Sequence, residues 1–507
     1  MNYLMGIDVG TSGTKTVLFD EKGTVIASAL REYPLYQPHN GWAEQRPEDW
    51  AQAVLDTLKE VMEKSGAEAE EVKSIGLSGQ MHGLVMLDQQ GQVIRPSIIW
   101  CDQRTGEEVE DMLDVMPREQ WIQITANPPL TGWTAAKLLW VKKHEPENYK
   151  RCRHILLPKD YVRYVLTGVF ATEVSDASGT QLLDVPGRRW SDEILDKLEI
   201  PRQWLGTVYE SCQITGYVLP DIAARVGLTE KTAVVGGAGD NAAAAVGTGV
   251  VRDGTAFTTI GTSGVVFAHS GKVVIDPQGR VHTCCCAVPG AWHIMGVTQG
   301  AGLSLKWMKD NFCQDYAACG QKEGMDVYER INRDVERIPA GSDRLLYLPY
   351  LMGERTPHLD PDCRGVFFGL SAIHTRAHVL RAVMEGVAYS LCDCNDILRD
   401  MGIHVDQMMA CGGGGKSPVW RQMLADLYQC RVQTAKQSEG PALGAAILAG
   451  VGCGIYETVE KACDALIFPD TSQEPVEKEA ELYKRYHQLY KKLYVSLKED
   501  YKELAKL

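Results

Sequence analysis

Short apolar runs alternate with tight turns over the first thirty residues. Residues 4–7 and 15–19 are apolar runs that predict two strands, and the turn between them, 10–13, consists of glycine and hydroxyl residues. A second turn at 20–23 leads into a third predicted strand at 24–29. This alternation predicts an antiparallel meander at the start of the chain.

Helical spacing of apolar positions then alternates with further strand-like runs. The spacing predicts helices at 47–62, 107–115 and 133–144, and apolar runs predict strands at 72–77, 84–87 and 97–100. A strand at 234–235 runs into four small residues and then into an alanine-rich helix that ends near Val246. Strands separated by helices predict a mixed α/β fold.

The design of the opening segment returns in the middle of the chain. Residues 255–260 and 265–268 predict two strands, and the turn between them again combines glycine with hydroxyl residues. Two segments of one design predict two similarly built halves that face a shared site. We therefore expect one domain at 1–248 and a second at 249–452.

The remaining residues, 453–507, are predicted to form a C-terminal helical extension. Its apolar positions recur at helical spacing with Lys and Glu between them. They are Leu482, Tyr486, Leu489, Leu493, Leu497 and Leu504. This helix either packs on the second half or joins two copies of the chain in a homodimer, and the sequence leaves both alternatives open.

The acidic balance of the chain excludes several classes of partner. Among 507 residues, 52 Lys and Arg stand against 66 Asp and Glu, a formal net charge of −14. Nucleic acids and anionic membranes need a basic face, so we expect neither as a partner. No apolar run approaches the roughly 18 residues of a membrane span, and the first residues lack the pattern of a signal peptide. We expect a cytoplasmic protein.

The 15 cysteines are scattered and odd in number, which argues against a disulfide framework. Residues 284–286 and the pair Cys392 and Cys394 lack the paired spacing of a zinc site. Alternation along 282–288 predicts a strand, in which cysteine is a small apolar filler. We expect structural thiols in a reducing compartment.

The first glycine turn is a candidate anion site. Backbone N–H groups at 10–13 can approach an anion, Thr11 and Ser12 add donors, and Lys15 adds positive charge. Asp8, at the end of the preceding strand, could hold Mg²⁺ beside phosphates. A well-formed hairpin turn favours the same residue types, so the pattern alone leaves both interpretations open.

Two segments resemble a P-loop without satisfying it. Residues 10–16 lack the glycine before the lysine and lead into a strand, and residues 410–417 lack the first glycine. The second segment also comes too late in the chain, because a P-loop domain needs several more strands after it. Its glycine run still indicates backbone that approaches a flat or anionic group, and an adenosine moiety fits.

Asp240 is the strongest candidate for a catalytic group. It lies where a strand, a glycine turn and a helix meet, and the small residues before it leave room for a ligand. The alternative is a helix N-cap, a position that favours Asp. A helix N-terminus would keep its carboxylate ionised, which suits a base that accepts a proton from an alcohol. Gln80, Met81 and His82 follow a strand and could contact a small polyol, although a single His is more often structural.

Five stretches resemble the motifs of the FGGY carbohydrate kinases, in the family's order, over residues 1 to about 450. They are Asp8-x-Gly10-Thr11-Ser12 and Gly261-Thr262-Ser263 for the phosphates, Gly132-x-Thr134-x-x-Lys137-Leu138-x-Trp140-Val141 and Gly365-Val366-Phe367-Phe368-Gly369-Leu370 for the two signatures, and Gly412 to Gly415 for adenosine. Within the family the chain is most similar to the branch that acts on D-xylulose. The stretches that carry this similarity are 79–83, 157–161, 175–180, 239–243 and 353–358.

The resemblance implies two actin-like ATPase domains of ribonuclease H type around a central cleft. ATP would bind mainly on the second domain and the sugar mainly on the first. It also implies transfer of the γ-phosphoryl group of ATP to the terminal hydroxyl of D-xylulose. Ribulose, gluconate or glycerol remain alternative substrates, and an actin- or Hsp70-like ATPase is an alternative of another class.

The resemblance also implies roles for individual residues. Asp240 would accept the proton, and Asp8 would be required for activity; both are the expected Mg²⁺ ligands. Residues expected at the sugar are Gln80, Met81, His82, Asp240 and Asn241. Residues expected at ATP are Thr11, Ser12, Lys15, Gly261, Thr262, Gly302, Gly413 and Gly414. Lys416 and Pro418 depart from the family pattern after the adenosine glycines.

Overall fold

Two seven-stranded mixed sheets organise the protein. The structure is a computed structural model that describes residues 1–316, 324–437 and 439–507. The first sheet consists of β1 (Tyr3–Val9), β2 (Gly13–Asp20), β3 (Val25–Glu32), β4 (Val72–Gly79), β5 (Ile214–Tyr217), β6 (Ala233–Val235) and β7 (Ala238–Gly239). The second consists of β8 (Gly254–Ile260), β9 (Gly264–Ser270), β10 (His282–Cys285), β11 (Trp292–Thr298), β12 (Val405–Cys411), β13 (Arg431–Ala435) and β14 (Pro469–Gln473).

Helices of four to 28 residues and five two-stranded ribbons complete the described fold. The helices are α1 (Pro47–Ser65), α2 (Gly106–Val115), α3 (Arg118–Thr125), α4 (Thr134–His144), α5 (Pro146–Arg151), α6 (Pro158–Thr167), α7 (Val174–Ala177), α8 (Asp192–Leu198), α9 (Pro220–Val226), α10 (Asp240–Gly247), α11 (Gly302–Phe312), α12 (Val327–Glu336), α13 (Arg376–Asp400), α14 (Gly412–Gly415), α15 (Pro418–Tyr428), α16 (Gly440–Gly452), α17 (Val459–Leu466) and α18 (Glu477–Leu504). The ribbons pair Glu44–Gln45 with Ser97–Ile98, Val85–Leu87 with His154–Leu156, Ala171–Glu173 with Thr207–Tyr209, Leu183–Asp184 with Arg189–Trp190, and Leu346–Leu348 with Val366–Phe368.

The two sheets repeat one design. In the first, β3, β2 and β1 pair antiparallel, and β4 joins the other side of β1 in parallel. In the second, β11, β9 and β8 pair antiparallel, and β12 joins β8 in parallel. The predicted repeat is therefore confirmed. The shared topology places the turn after β1 and the turn after β8 at equivalent points of the two halves.

α16 belongs to the second half in sequence but packs on the first sheet. It contacts β1 and β4 and runs beside α10. Two glycines make this close approach possible, because a Cβ on Gly6 would lie 1.9 Å from the carbonyl oxygen of Ala442, and one on Gly76 equally close to that of Ala445. The two halves are thus joined where the backbone of α16 packs directly on the first sheet.

Among the C-terminal residues, β14 and α18 belong to the second half. β14 is the edge strand of the second sheet, beside β13, and α18 packs on the core of that half through buried Tyr483, Tyr490 and Tyr494. Of the leucines that predicted the helix, Leu489 and Leu504 are exposed. The buried face is shifted towards tyrosines because their hydroxyls find partners there: that of Tyr483 donates to Glu385 at 2.9 Å.

The described cysteines are free thiols. Cys284 and Cys285 lie buried in β10, and burial raises the pKa of Cys285 to about 12. The expectation of structural thiols is confirmed for this strand, while Cys319 lies outside the described residues. Among the helices that the structure describes, none is long and apolar enough to cross a bilayer.

Candidate active site

Two partly buried carboxylates, Asp8 and Asp240, lie close enough for their charges to interact. Asp8 belongs to β1 and stands opposite Ser78 of β4, whose hydroxyl donates to Oδ1 of Asp8 at 2.8 Å. Asp240 is the first residue of α10, and Gly239 occupies the N-cap position. Asp240 is therefore not the N-cap that its sequence context allowed.

Burial and mutual repulsion decide the charge of this pair. The pKa of Asp240 is raised to about 6, first by burial and then by the charge of Asp8. The backbone N–H and the side-chain amide of Asn241 donate to Oδ1 of Asp240 at 2.7 and 2.9 Å and oppose that rise. Burial likewise raises the pKa of Asp8, against the hydrogen bond from Ser78 and the charge of Lys15. The helix N-terminus expected to keep Asp240 ionised is outweighed, yet a pKa near 6 leaves Asp240 mostly ionised at neutral pH.

Two buried glutamines support the first glycine turn through hydrogen bonds. Gln45 donates to the carbonyl oxygen of Thr11 at 2.7 Å, and Gln80 donates to Oε1 of Gln45 at 2.8 Å. The hydroxyl of Thr11 accepts from the indole N–H of Trp100 at 2.9 Å, while Ser12 is exposed. Gln80, which was expected at the sugar, therefore lies buried beneath the turn and supports it.

Lys15 is engaged by the other half of the molecule. Its Nζ lies 2.5 Å from Oε2 of Glu439, the residue immediately before α16. The positive charge that was expected to act on phosphates is thus paired with a carboxylate.

Met81 and His82 lie next to the segment that carries Asp240. A Cβ on Gly239 would lie 2.8 Å from Sδ of Met81, so Met81 packs directly against the residue before Asp240. The His82 ring stacks on Trp133 with centroids 4.5 Å apart, and its Nδ1 lies 2.8 Å from the carbonyl oxygen of Gly179. The pKa of His82 is lowered to about 3 by burial, reinforced by nearby positive groups. The ring is therefore neutral, with Nδ1–H donating to Gly179 and Nε2 left as an acceptor.

Four further residues surround His82 that were not named as site residues from the sequence. Lys137 is fully buried and donates to the carbonyl oxygens of His82 and Gly132 at 2.7 and 2.6 Å, and burial lowers its pKa to about 7. Trp133 also contacts His282 of the second half, with ring centroids 5.5 Å apart. Arg355 of the second half helps to lower the pKa of both histidines.

A signal existed for only part of this set. Trp133 and Lys137 lie inside the first signature stretch, 132–141. Arg355 lies in the stretch 353–358, which carries the similarity within the family, whereas His282 lies in none of these stretches. Both approach His82 only through the arrangement of the two halves.

A cleft of about 620 Å³ lies on the second half. It brings together five of the residues expected at ATP: Gly261, Thr262, Gly302, Gly413 and Gly414. Lys416, Ser417 and Pro418 also line it. The expected Thr11, Ser12 and Lys15 belong to the first half and do not line this cleft.

Two segments that line the cleft approach each other so closely that glycine is required at their contact. The N–H of Gly302 donates to the carbonyl oxygen of Gly261 at 2.7 Å, and a Cβ on Gly302 would lie 2.4 Å from that oxygen. This contact joins the turn after β8 to the start of α11. Space beside Gly413 is open, since a Cβ there would meet no atom within 4 Å.

Known proteins match almost the whole length of this chain. Models of the N-terminal and C-terminal domains of the FGGY family of carbohydrate kinases match residues 3–247 and 256–453. A xylulose kinase of Bacillus subtilis (strain 168) is 40% identical over 499 residues, 98% of either chain. One of Lactococcus lactis subsp. lactis (strain IL1403) is 38% identical over 501 residues, again 98% of each. The crystal structure of ligand-bound xylulose kinase from Lactobacillus acidophilus superposes with a TM-score of 0.92 at 27% identity, covering 99% of this chain and 100% of its own.

Proposed function

The chain belongs to the FGGY family of carbohydrate kinases, and we propose that it transfers the γ-phosphoryl group of ATP to the terminal hydroxyl of D-xylulose. The products are D-xylulose 5-phosphate and ADP. The observation that carries this proposal is the similarity to xylulose kinases over 98% of the chain. The juxtaposition of Asp240, Met81 and His82 provides the chemistry that such a transfer needs.

Asp240 acts as the base. Its carboxylate accepts the proton of the sugar hydroxyl as the oxygen forms a bond to the γ-phosphorus, and the bond from that phosphorus to the β,γ-bridging oxygen breaks to release ADP. Phosphoryl transfer asks the protein mainly for positioning and charge stabilisation. A base with a pKa of about 6 is ionised at neutral pH and still basic enough to take up a proton.

Met81 and His82 orient the sugar beside this base. Nε2 of the neutral His82 accepts a hydrogen bond from a sugar hydroxyl, and the thioether of Met81 covers an apolar edge of the sugar. The stack on Trp133 and the bond to Gly179 hold the imidazole in one orientation. Such fixed polar contacts discriminate between sugars because a wrong isomer leaves a buried group unpaired.

ATP binds in the cleft of the second half. Gly413 and Gly414 leave a flat surface for the adenosine, and the turn at Gly261 and Thr262 offers the hydroxyl of Thr262 to the phosphates. The equivalent turn at Thr11 and Ser12 approaches the phosphates from the first half. Lys15 contributes to this side only when it leaves Glu439.

Asp8 and Asp240 would hold Mg²⁺ that arrives with ATP. The fit is chemical: both offer carboxylate oxygens, the ligands that this hard cation prefers. Their raised pKa values also indicate buried negative charge that a cation would relieve. When bound, the ion would neutralise part of the charge on the phosphates.

A panel of sugars tests this function directly. ADP formation is measured with D-xylulose, D-ribulose, gluconate, glycerol and no sugar at all, at one ATP concentration. We expect the highest kcat/KM with D-xylulose and almost no ADP without an acceptor. A higher kcat/KM with another acceptor would move the enzyme to that substrate, and a sugar-independent rate would favour an ATPase.

A further inference from the structure

A buried ionic cluster lies beneath the segment that presents Asp240. Its members are Lys159, Asp160, Arg163, Glu173 and Asp176, and each is at most 1% exposed. Nζ of Lys159 lies 2.8 Å from Asp160, 3.2 Å from Glu173 and 3.3 Å from Asp176. Burial of so many ionisable groups is costly even when they are paired, so the cluster calls for a role beyond stability.

The charges in the cluster balance. Burial lowers the pKa of Lys159, but the charges of its acidic neighbours, Asp160 and Glu173 foremost, more than reverse that, so Lys159 stays charged. Burial raises the pKa of Asp176 well above its usual value, which favours the neutral acid. Two cations, Lys159 and Arg163, then face two carboxylates, those of Asp160 and Glu173.

One continuous chain of hydrogen bonds leads from this cluster to the residue before Asp240. The N–H of Gly239 donates to Oγ of Ser175 at 3.1 Å, and that hydroxyl donates to Oε1 of Glu173 at 2.9 Å. The same oxygen of Glu173 is paired with Lys159. Gly239 is the residue immediately before Asp240, so the relay ends at the backbone that carries the base.

The same segment also holds His82. Glu173 is the N-cap of α7, and α7 continues into a short 3₁₀ turn, Ser178–Thr180. The carbonyl oxygen of Gly179 in that turn lies 2.8 Å from Nδ1 of His82. A single buried segment therefore sets both the backbone before Asp240 and the ring of His82.

We propose that Ser175, held by Glu173 and Lys159, is a positioning residue that fixes the base Asp240 relative to the sugar-binding His82. The inference rests on the proposed function, because it acts through Asp240. Its physical basis is that a hydroxyl and a base must lie within hydrogen-bond reach for proton transfer, and a small displacement of either is costly in rate.

Ser175→Ala tests the relay, and Ser211→Ala is its matched control. The hydroxyl of Ser211 donates to the other oxygen of Glu173 at 2.9 Å, and both serines are fully buried. The two variants thus lose an equivalent hydrogen bond to one carboxylate, but only Ser175 contacts Gly239. We expect both variants to lose Tm, Ser175→Ala more than Ser211→Ala because the N–H of Gly239 also loses its acceptor, whereas kcat falls about tenfold or more in Ser175→Ala alone, with KM for ATP unchanged.

The division between kcat and KM supplies a readout that a purely structural role would not move. Loss of the bond from the N–H of Gly239 displaces the base, while the ATP cleft of the second half keeps its lining, so we expect kcat to fall in Ser175→Ala and KM for ATP to stay at the parent value. In Ser211→Ala we expect both constants to stay at the parent values.

A double-mutant cycle separates this inference from the proposed function. If Ser175 acts through Asp240, Ser175→Ala causes no further loss of turnover in an Asp240→Asn background. Independent losses, or equal kcat values for Ser175→Ala and Ser211→Ala, would overturn the positioning role. Full turnover by Asp240→Asn alone would instead refute Asp240 as the base. Should Ser175→Ala not fold, Ser175→Cys keeps the shape with a weaker hydrogen bond and allows the same comparison.

Discussion

The charge of Asp240, the proposed base, is set by neighbours that act in opposite directions. Two donors from Asn241 and the start of α10 favour the carboxylate, while burial and Asp8 favour the acid. The second pair of influences is larger, and the pKa reaches about 6. Because the carboxylate is less stable in the fold than in the unfolded chain, its charge destabilises the folded state at neutral pH. Protonation relieves that cost as the pH falls from about 6 towards the unfolded value of about 4.

Asp240→Asn should therefore lose activity and gain stability. We expect turnover with D-xylulose to fall by at least about 100-fold, the usual cost of losing a general base. The free energy of unfolding at pH 7 should rise by on the order of 2 kcal/mol, since the buried charge is gone while an amide oxygen still accepts from Asn241. Steady-state kinetics and thermal unfolding measure the two effects.

Two controls complete this comparison. ATP affinity measured without Mg²⁺ should match that of the parent, and the parent's kcat/KM should decline below about pH 6 as Asp240 becomes protonated. Turnover within a few-fold of the parent would show that Asp240 is not the base.

His82 is the residue on which sugar choice is expected to depend. Its neutral ring is fixed by Trp133 and Gly179, so Nε2 accepts from one direction only. We expect His82→Ala to reduce the preference for D-xylulose over D-ribulose, by the roughly 5- to 150-fold that a buried hydrogen bond of about 1–3 kcal/mol provides. The measurement is the ratio of kcat/KM for the two ketoses.

An exposed histidine provides the control for that measurement. His404 lies in an exposed position after α13. His404→Ala should therefore leave both rates and their ratio unchanged. An unchanged ratio in His82→Ala as well would place sugar selectivity elsewhere in the site.

At the scale of elements, the contact of α16 with the first sheet depends on glycines, which carry no side chain. Gly6 of β1 and Gly76 of β4 face carbonyl oxygens of α16, and Gly444 of α16 faces the carbonyl oxygen of Ala243 in α10 at a similar distance. Backbone cannot move away from such a contact as a flexible side chain could. The junction between the halves is therefore intolerant of a single added methyl group.

Gly76→Ala measures this intolerance. A Cβ there would lie 1.9 Å from the carbonyl oxygen of Ala445, so we expect a loss of at least about 3 kcal/mol in the free energy of unfolding, the upper end for overpacking. Gly106→Ala at the start of α2 is the control, because a Cβ there meets nothing within 4 Å. Chemical denaturation gives both values, and equal stabilities would mean that the junction yields more easily than its geometry implies.

At the scale of the whole molecule, hydrogen bonds link the two halves directly. Asn127 donates to the carbonyl oxygen of Thr283 at 2.8 Å, and the N–H of Cys285 donates to Oγ of Ser178 at 3.0 Å. Lys15 and Glu439 form a further link close to the first glycine turn. We expect the glycine turns after β1 and β8 to approach one another only if the halves rotate about such contacts.

We expect sugar binding to favour closure, so that ATP is consumed mainly when an acceptor is in place. Small-angle scattering should show a smaller radius of gyration with D-xylulose and a non-hydrolysable ATP analogue together than with neither. The basal ATPase rate should lie at least about tenfold below the sugar-stimulated rate, because closure without an acceptor would waste ATP on water. An unchanged radius with both ligands would indicate a rigid cleft.

The sequence alone was sufficient for the local and repeated features. Apolar runs separated by glycine turns located β1, β2, β8 and β9, because strand periodicity and turn chemistry are properties of neighbouring residues. Local patterns also identified Asp240, which follows four small residues, and the glycine run at 412–415, whereas Gly302 was expected only from the resemblance to the family.

Only the tertiary structure decided what depends on residues far apart in the chain. The pKa of Asp240 depends on Asp8, which lies 232 positions earlier (240 − 8 = 232), and Lys15 is neutralised by Glu439 of the other half. Gln80 and His82 are close neighbours with the same strand before them, yet one supports a turn and the other faces Trp133. Charge and orientation in a buried site are set by packing and desolvation, and neither is encoded in the spacing of residues along the chain.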